Sequence, residues 1–337
     1  MNQFQSLLNS IMQEDVGVGD RLLDMSLWDW SQAVALHAMM KYYQKTKDKA
    51  VLTWLEQWYD EKLPTLPEKE NVNTMGQYLV LTYLYEETHK ALYLERCCEA
   101  ADWLLKELPR TQMGGFQHVT LDSDNHQQLW ADTIYIAALF LAKLGSVTKR
   151  KEYTEESKRQ FLLHIYYLSD RKTGLWSHGW SFERLDNYAQ AHWARGNSWF
   201  TIAASEALEL FEEDDAVTKW IRDFFCFHSK TLIELQDACG LWHTLLDDPA
   251  SYVEVSGSCG ILYGLRKGWR AGILPSSYGE SIEKGIAAAK QYIQEDGIVS
   301  QVSYGTIVST SLDYYRNVAL RPSGYGQALM LLLLTEE

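Results

Sequence analysis

The sequence predicts an all-α protein in which about a dozen helices pair into a closed ring of helical hairpins. Apolar residues recur at helical spacing through most of the 337 residues. The loops between these stretches are short and rich in Gly, Pro, Asp and Asn. Clusters of polar and aromatic residues also stand at or just before the start of long helices. If successive helices alternate in direction, these clusters meet at one end of the ring and form a single site.

The helical periodicity consists of apolar residues three, four and seven positions apart. It is clearest at 94–105 and at 217–228. One short segment, 298–302, is the main candidate for a strand. Further helical stretches lie near 3–13, 29–45, 49–60, 75–89, 130–143, 152–168, 196–211, 257–270, 279–294 and 323–334.

The sequence favours a closed ring over an open solenoid. A solenoid would repeat a signature every ~34–47 residues, and no such repeat is present. Only six prolines occur and none forms a linker, so we expect a single domain over 1–337. The polar and aromatic clusters expected at one end of that domain lie at 28–30, 71–74, 130–132, 192–199 and 256–258.

The charge balance argues against two classes of partner. Asp and Glu outnumber Lys and Arg by 45 to 31, which gives a net charge of −14. Nucleic acids and anionic membrane surfaces both need a basic footprint, so we expect neither as a partner. The thirteen Trp and twenty Tyr suit a cleft that packs flat rings against sugars. Packing between helices would use the same residues, so composition leaves both interpretations open.

The cysteines and the first residues predict the compartment. The five cysteines show no CxxC spacing and no His at metal-ligand spacing, so we expect a reducing environment and no metal. Residues 1–16 lack the basic and apolar segments of a signal peptide. No run of eighteen apolar residues exists that would span a membrane. We therefore expect a cytoplasmic protein.

The strongest local pattern is at residues 128–135, which read QLWADTIY. Asp132 stands close to Trp130 at the head of an apolar helix, where a carboxyl group can serve as an acid. An Asp at this position is also a common N-terminal cap or first-turn residue, so this stretch alone leaves both interpretations open.

A second pattern places an arginine between two tryptophans. Residues 193–199 read WARGNSW, so Arg195 lies between Trp193 and Trp199 at the polar opening of a helix. Arginine with aromatic neighbours can hold a carboxylate while the rings pack on a sugar. Stacking of Arg on Trp for packing alone is the alternative.

Two histidines stand in glycine-rich loop sequences. His178 lies within TGLWSHGW at 173–180, and His118 ends GGFQH at 114–118. A lone histidine is usually structural, so neither indicates a site by itself.

Together these patterns resemble glycoside hydrolase family 105, the unsaturated rhamnogalacturonyl hydrolases, which are related to the unsaturated glucuronyl hydrolases of family 88. The resemblance extends from about 71 to 327, with the family's motifs in the same order. Any one motif is weak, but six in order are specific. They lie at 109–111, 114–118, 128–135, 173–180, 193–199 and 254–258.

The resemblance implies an (α/α)6 barrel and a cofactor-free glycosidase acting on a small anionic oligosaccharide. Such an enzyme releases the terminal 4,5-unsaturated uronic acid from lyase-cut fragments, here expected to be rhamnogalacturonan disaccharides. It hydrates the C4=C5 bond rather than displacing the glycosidic oxygen. By resemblance Asp132 is the general acid, and desolvation among its aromatic neighbours and the substrate carboxylate is expected to raise its pKa. The substrate-binding residues expected in this chain are His118, Trp130, His178, Trp193, Arg195 and Trp199.

The chain departs from the family at one position. Family members often carry a second acidic residue before the third or fourth helix, where this chain has Asn71 and Asn73. We expect Asn73 to contact the substrate or its water, and Asp29 is a candidate for the missing charge. Trp30, beside Asp29, is expected to shape the site of the second sugar.

Three other functions share parts of this pattern. A sugar epimerase on the same fold would use His178 and a second histidine as acid and base, and would interconvert sugars without cleavage. A non-catalytic oligosaccharide-binding protein would not need Asp132 for affinity. An ordinary two-carboxylate glycosidase would need a second acidic partner, and none stands out.

Overall fold

The computed structural model describes residues 3–12, 22–66, 70–212 and 215–337, and helices dominate this part of the chain. The helices run over Gln3–Met12 (α1), Trp30–Thr46 (α2), Lys49–Lys62 (α3), Gly76–Thr88 (α4), Ala91–Lys106 (α5), Leu139–Thr148 (α6), Lys151–Leu168 (α7), Ala194–Leu210 (α8), Ala216–Glu234 (α9), Val255–Arg270 (α10), Gly279–Lys290 (α11), Leu312–Arg316 (α12) and Gly324–Leu334 (α13).

Six of these helices close into an inner ring. Going round the ring, α2 packs on α4, α4 on α6, α6 on α8, α8 on α10, α10 on α13, and α13 returns to α2. Each inner helix carries one outer helix: α3 on α2, α5 on α4, α7 on α6, α9 on α8, α11 on α10 and α1 on α13. The predicted all-α toroid of six hairpins is confirmed.

Burial separates the inner helices from the outer ones. The inner helix α13 is buried along its whole length, and α8 is buried continuously over 194–208. The outer helix α5 buries only one stripe, which includes Tyr93, Cys97 and Leu104. A helix that is covered on all sides belongs in the core, whereas an amphipathic helix lies at the surface.

The inner helices begin at one end of the barrel, and polar side chains cap three of them, α2, α10 and α13. Asp29 caps α2 by accepting the N–H of Trp30 at 2.8 Å, and Ser323 caps α13. Glu254 caps α10. Such caps satisfy the free N–H groups of a first helical turn. The helix that ends as α6 contains a π-helical turn, Ile134–Ala138, which begins two residues after Asp132.

The strands are short and lie in loops at this end. Gln128–Trp130 (β1) pairs antiparallel with Gly179–Ser181 (β2), and Trp242–His243 (β3) pairs with Val253–Glu254 (β4). The predicted strand at 298–302 is wrong, because this segment forms only an isolated bridge from Val299 to Ile293. Gln301 has a φ of 59°, which interrupts the extended backbone there. No described helix is long and apolar enough to cross a membrane.

Candidate active site

A cavity of about 490 Å³ opens at the end of the barrel where the inner helices begin. Its walls come from the helix starts, from the first short strand and from loop residues at 120–125, 188 and 305–308. The residues that line it are Asp29, Trp30, Asn73, His118, Thr120, Asp122, Ser123, Asn125, Gln128, Trp130, Asp132, Ile136, Tyr188, Trp193, Arg195, Gly305, Thr306, Ile307 and Val308.

The pairing of β1 with β2 brings Asp132 to His178. Trp130 pairs with Gly179, and the N–H of Ala131 donates to the carbonyl of His178 at 2.9 Å. This register leaves Asp132 Oδ2 only 3.4 Å from His178 Nε2. Neither atom makes a regular hydrogen bond to any described residue, although both are buried. The carboxylate is thus held close to one imidazole and keeps bonding capacity free toward the cavity.

The environment of Asp132 lowers its pKa, so the expected rise is wrong for the protein without substrate. Burial alone would raise the pKa of Asp132, but the interaction with His178, with a smaller contribution from His118, outweighs it. A hydrogen-bond donor that faces a carboxyl group favours its ionised form. These contributions are those of the protein without substrate. The like charge of a bound substrate carboxylate would raise the pKa of Asp132.

His118 and Trp130 form one wall of the cavity. Their rings stack with centroids 4.5 Å apart and an angle of 10° between planes. Trp130 Nε1 donates to Gln128 Oε1 at 2.9 Å, which fixes the indole. His118 Nδ1 lies 2.8 Å from Thr133 Oγ1, and burial lowers the pKa of His118 to about 4. At neutral pH this wall is therefore an uncharged aromatic surface.

His178 lies behind Asp132 and does not line the cavity. Its ring packs against Trp193 with centroids 4.3 Å apart, and only 2% of the residue is exposed. Nδ1 lies 3.0 Å from the hydroxyl of Tyr315. The structure places His178 as the partner of Asp132, whereas the sequence suggested direct contact with substrate.

Arg195 lines the cavity, but both of its terminal nitrogens donate hydrogen bonds to protein acceptors. One terminal nitrogen donates to Ser256 Oγ at 3.0 Å and to the carbonyl of Ser303 at 2.9 Å. The other donates to the carbonyl of Tyr304 and to Thr306 Oγ1, both at 3.2 Å. The guanidinium therefore ties the segment at 303–306 to α8 and offers the cavity its charge rather than a free pair of donors.

Helices α8 and α10 approach closely beneath Arg195, which explains the EVSGS sequence at 254–258. A Cβ atom on Gly257 would lie 2.7 Å from the backbone nitrogen of Arg195. Glu254 is fully buried and accepts the N–H groups of Ser256, Gly257 and Ser303. This carboxylate, 3.9 Å from Arg195, balances the buried guanidinium.

Asp29 and Asp122 form an acidic corner of the cavity. The side chain of Asn73 hydrogen-bonds Asp29, and both residues line the cavity with Asp122. Burial raises the pKa of Asp29, and the charge of Asp122 raises it further. Hydrogen bonds from the Trp30 backbone and the Asn73 side chain act to lower it. Asp29 therefore lies at the cavity beside Asn73, and its role as the missing charge stays a prediction.

The predicted residues other than His178 and Trp199 all line the cavity. Trp199 is 2% exposed and stacks on Tyr135 with centroids 4.9 Å apart, one helical turn deeper than Arg195. Trp30 lines the cavity, whereas Trp28 stacks on Trp58 in the core. Sequence reasoning missed the loop residues Tyr188, Asp122 and 305–308, which carry no periodic signal.

The arrangement can deliver a proton to a bound ring. A carboxyl group, close to an imidazole, faces a cavity whose lining includes five aromatic side chains, counting His118, and one buried guanidinium. No group of three or more His, Cys, Asp or Glu within the described ranges is arranged to hold a metal ion. Acid–base chemistry on a flat, anionic ring fits these residues.

Comparison with known proteins agrees with this geometry. Residues 7–337 match the model of Glycosyl Hydrolase Family 88. The chain is 34% identical over 313 residues to the unsaturated rhamnogalacturonyl hydrolase YesR of Bacillus subtilis, covering 92% of this chain and 89% of that protein. A structure from Salmonella enterica, described as a possible member of the GH105 family, is 39% identical with a TM-score of 0.93, covering 99% of this chain and 92% of that one. The unsaturated glucuronyl hydrolase of Bacillus sp. GL1 shares the fold, with 15% identity and a TM-score of 0.76 over 98% and 94% of the two chains.

Proposed function

This chain belongs to glycosyl hydrolase family 88 and is a glycosidase, and we propose that it releases the terminal 4,5-unsaturated uronic acid from lyase-generated disaccharides. The observation that carries the proposal is the isolated pair of Asp132 and His178 at the wall of an aromatic cavity. Trp130 and Trp193 supply flat faces for a half-planar ring, and Arg195 supplies the positive charge that a uronate needs.

The proposed reaction is hydration of the double bond. The carboxyl proton of Asp132 passes to C4, which leaves positive charge shared between C5 and the ring oxygen. Water then adds at C5 and returns a proton to the Asp132 carboxylate. The resulting hemiketal opens, the bond to the second sugar breaks, and the carboxyl group is ready for another cycle. His178 holds the carboxylate between the two proton transfers.

The pKa of Asp132 sets the pH dependence of this reaction. Protonated Asp132 is the active form, and because its pKa is lowered in the free protein, kcat/KM falls as pH rises above that pKa. The bound uronate places a second negative charge nearby and raises the pKa of Asp132 in the complex. The fall in kcat therefore occurs at higher pH than the fall in kcat/KM, and a coincidence of the two would contradict this account.

The cavity favours a neutral second sugar. Asp29 and Asp122 place negative charge on one side, while Ile307 and Val308 present apolar surface near the mouth. A sulfated or otherwise anionic second sugar would be repelled by the carboxylates. A deoxy sugar such as rhamnose buries its methyl group against the apolar side, so rhamnogalacturonan disaccharides are the proposed substrates.

The remaining features of the proposal concern the whole protein. The chain acts as one catalytic domain over 1–337, without a metal or other cofactor. A cytoplasmic location is supported by five free thiols, of which Cys97 and Cys259 are buried. A small disaccharide, rather than a polymer, is the substrate that such a compartment would receive.

The test follows the ultraviolet absorbance of the conjugated double bond on a panel of unsaturated disaccharides, with wild type beside Asp132→Asn. We expect decay for wild type and a loss of at least about a thousandfold for the variant. Binding without decay on every member would favour a non-catalytic binding protein. Interconversion of saturated sugars without cleavage would favour an epimerase, and decay that survives the substitution would exclude Asp132 as the acid.

A further inference from the structure

Tyr315 is the buried residue of an otherwise exposed segment. It belongs to the short helix α12 and is 1% exposed, whereas Asp313 and Arg316 on the same helix face solvent. Its ring joins a small cluster with Trp193 and Leu245, apart from the main core. None of the six sequence motifs contains it. Its hydroxyl lies against His178, so this segment is connected through one imidazole to Asp132.

The direction of the hydrogen bonds around Tyr315 can be assigned from its partners. The backbone N–H of Ser309 donates to the Tyr315 hydroxyl oxygen at 3.1 Å. Burial raises the pKa of Tyr315, so the phenol keeps its own proton. That proton needs an acceptor, and His178 Nδ1 lies 3.0 Å away. A neutral imidazole that accepts at one nitrogen carries its proton on the other.

We propose that Tyr315 is a positioning residue that holds His178 in the tautomer with its proton on Nε2. An N–H group, rather than a lone pair, then faces Asp132 Oδ2 at 3.4 Å. This inference rests on the proposed function of Asp132 as the acid. It adds a residue that touches neither substrate nor carboxylate and acts only through His178.

The tautomer matters because Asp132 alternates between acid and carboxylate. After Asp132 gives its proton to C4, the Nε2–H of His178 stabilises the carboxylate that remains. With the proton on Nδ1, a lone pair would face that carboxylate and oppose its formation. Tyr315 therefore lowers the barrier of the proton-transfer step without contributing a proton of its own.

The same chain of contacts reaches the cavity wall. Ser309, which orients Tyr315, directly follows the lining residues 305–308, and its carbonyl accepts the N–H of Ala189. The titratable groups that face this chain are Asp132 and His118 on the side of His178, and Tyr314 and Tyr188 on the side of Tyr315. A shift in pH dependence must therefore be compared with a variant that disturbs the same segment without touching His178.

Tyr315→Phe and Tyr314→Phe form such a matched pair. The Tyr314 hydroxyl accepts the N–H of Ile307 at 3.1 Å, so its removal costs the same segment one hydrogen bond. In Tyr315→Phe we expect kcat to fall about tenfold. We also expect the pH at which kcat declines toward alkaline pH to rise by about one unit, because the Asp132 carboxylate loses the stabilising N–H of His178. In Tyr314→Phe this decline should occur at the same pH as in wild type. A decline in Tyr315→Phe at the wild-type pH, or at a lower pH, would overturn the proposal.

A second measurement reads the tautomer without any substrate. Nitrogen-15 NMR of histidine-labelled protein distinguishes protonated from unprotonated ring nitrogens, and the His178 signals are those absent from His178→Gln. We expect a protonated Nε2 and an unprotonated Nδ1 in wild type, and shifts averaged between the two states in Tyr315→Phe. A wild-type proton on Nδ1, or identical spectra, would refute the assignment. If wild type turns over no unsaturated disaccharide, the proposed function fails while this result still decides the role of Tyr315.

Discussion

Glu206 and Asp132 are carboxylates at two levels of the barrel, and their surroundings differ. Glu206, about 18 Å along α8 from its first residue, accepts the Lys41 ammonium at 2.8 Å and the Tyr83 hydroxyl at 3.0 Å. Its other oxygen accepts the hydroxyl of Tyr263. Burial would raise the pKa of Glu206, yet Lys41 and His37 hold it well below its usual range. This carboxylate is fully compensated and sealed from solvent.

Asp132, at the open end, has much less compensation. Its Oδ2 makes no regular hydrogen bond to a described residue. Its pKa is lowered through His178 and, more weakly, through His118 and a backbone hydrogen bond. The side chain of Asp132 is 20% exposed, toward the cavity, whereas that of Glu206 is 1% exposed. The same chemical group therefore stabilises the fold at one level and remains available for reaction at the other.

The largest expected effect on stability is that of Glu206→Gln. Removing the charge leaves the Lys41 ammonium without its counterion, and we expect the free energy of unfolding to fall by about 3 kcal/mol. Turnover per folded molecule should stay near that of wild type. Urea unfolding measures the first quantity. The matched control is Glu209→Gln on the same helix. The Glu209 side chain is 47% exposed and pairs with Lys267, so its substitution should lower the free energy of unfolding by less than about 1 kcal/mol.

Arg195→Lys sharpens the comparison at the open end. A lysine keeps the charge but cannot reach Ser303, Tyr304 and Thr306 together. We expect kcat/KM to fall roughly thirtyfold, which corresponds to about 2 kcal/mol of lost charged hydrogen bonds. Steady-state kinetics on the unsaturated disaccharide measures it. A variant as active as wild type would show that Arg195 acts through its charge alone and not by holding the segment at 303–306.

Acid should destabilise the protein at sites away from the cavity. Burial lowers the pKa of His164 and of His228 from 6.5 to about 4. Below pH 6.5 the unfolded chain therefore binds protons that the folded chain does not, and stability falls as the pH drops toward 4. The low pKa of Glu206 adds a further loss at lower pH. Urea midpoints across this range should decrease steadily, and a midpoint that is constant or rises toward acid would contradict this assignment.

The smallest expected effect belongs to Trp199→Phe. Because Trp199 lies one turn below the cavity against Tyr135, we expect turnover within about threefold of wild type and a stability loss of about 1 kcal/mol. Trp130→Phe is the comparison, since Trp130 lines the cavity and stacks on His118. A larger loss of turnover in Trp199→Phe than in Trp130→Phe would mean that Trp199 contacts the substrate after all.

Helical spacing in the sequence was enough to predict the ring and the gathering of polar clusters at one end. It did not predict how far from the cavity each residue of a helix lies. Arg195 and Trp199 are four residues apart and share a face, yet only Arg195 reaches the cavity, because each turn descends 5.4 Å. Periodicity also gave no sign of the π-helical turn Ile134–Ala138, since its side chains are as apolar as those of an α-helix.

The loops explain most of what the sequence did not predict. Asp122, Tyr188 and 305–308 enter the cavity from segments without periodicity, and only the folded chain brings them beside Asp132. His178 was recognised by its glycine-rich surroundings, but its place behind Asp132 depends on the register of β1 with β2. The direction of the pKa change at Asp132 depended on the same register, which brings His178 within 3.4 Å.

The most direct test measures turnover and unfolding in the same samples of wild type, Asp132→Asn and Glu206→Gln. We predict that Asp132→Asn loses at least about a thousandfold in turnover and less than about 1 kcal/mol in stability, with the reverse pattern for Glu206→Gln. A loss of stability in Asp132→Asn as large as that in Glu206→Gln would contradict the account. It would mean that both carboxylates serve the fold and that the chemistry lies elsewhere.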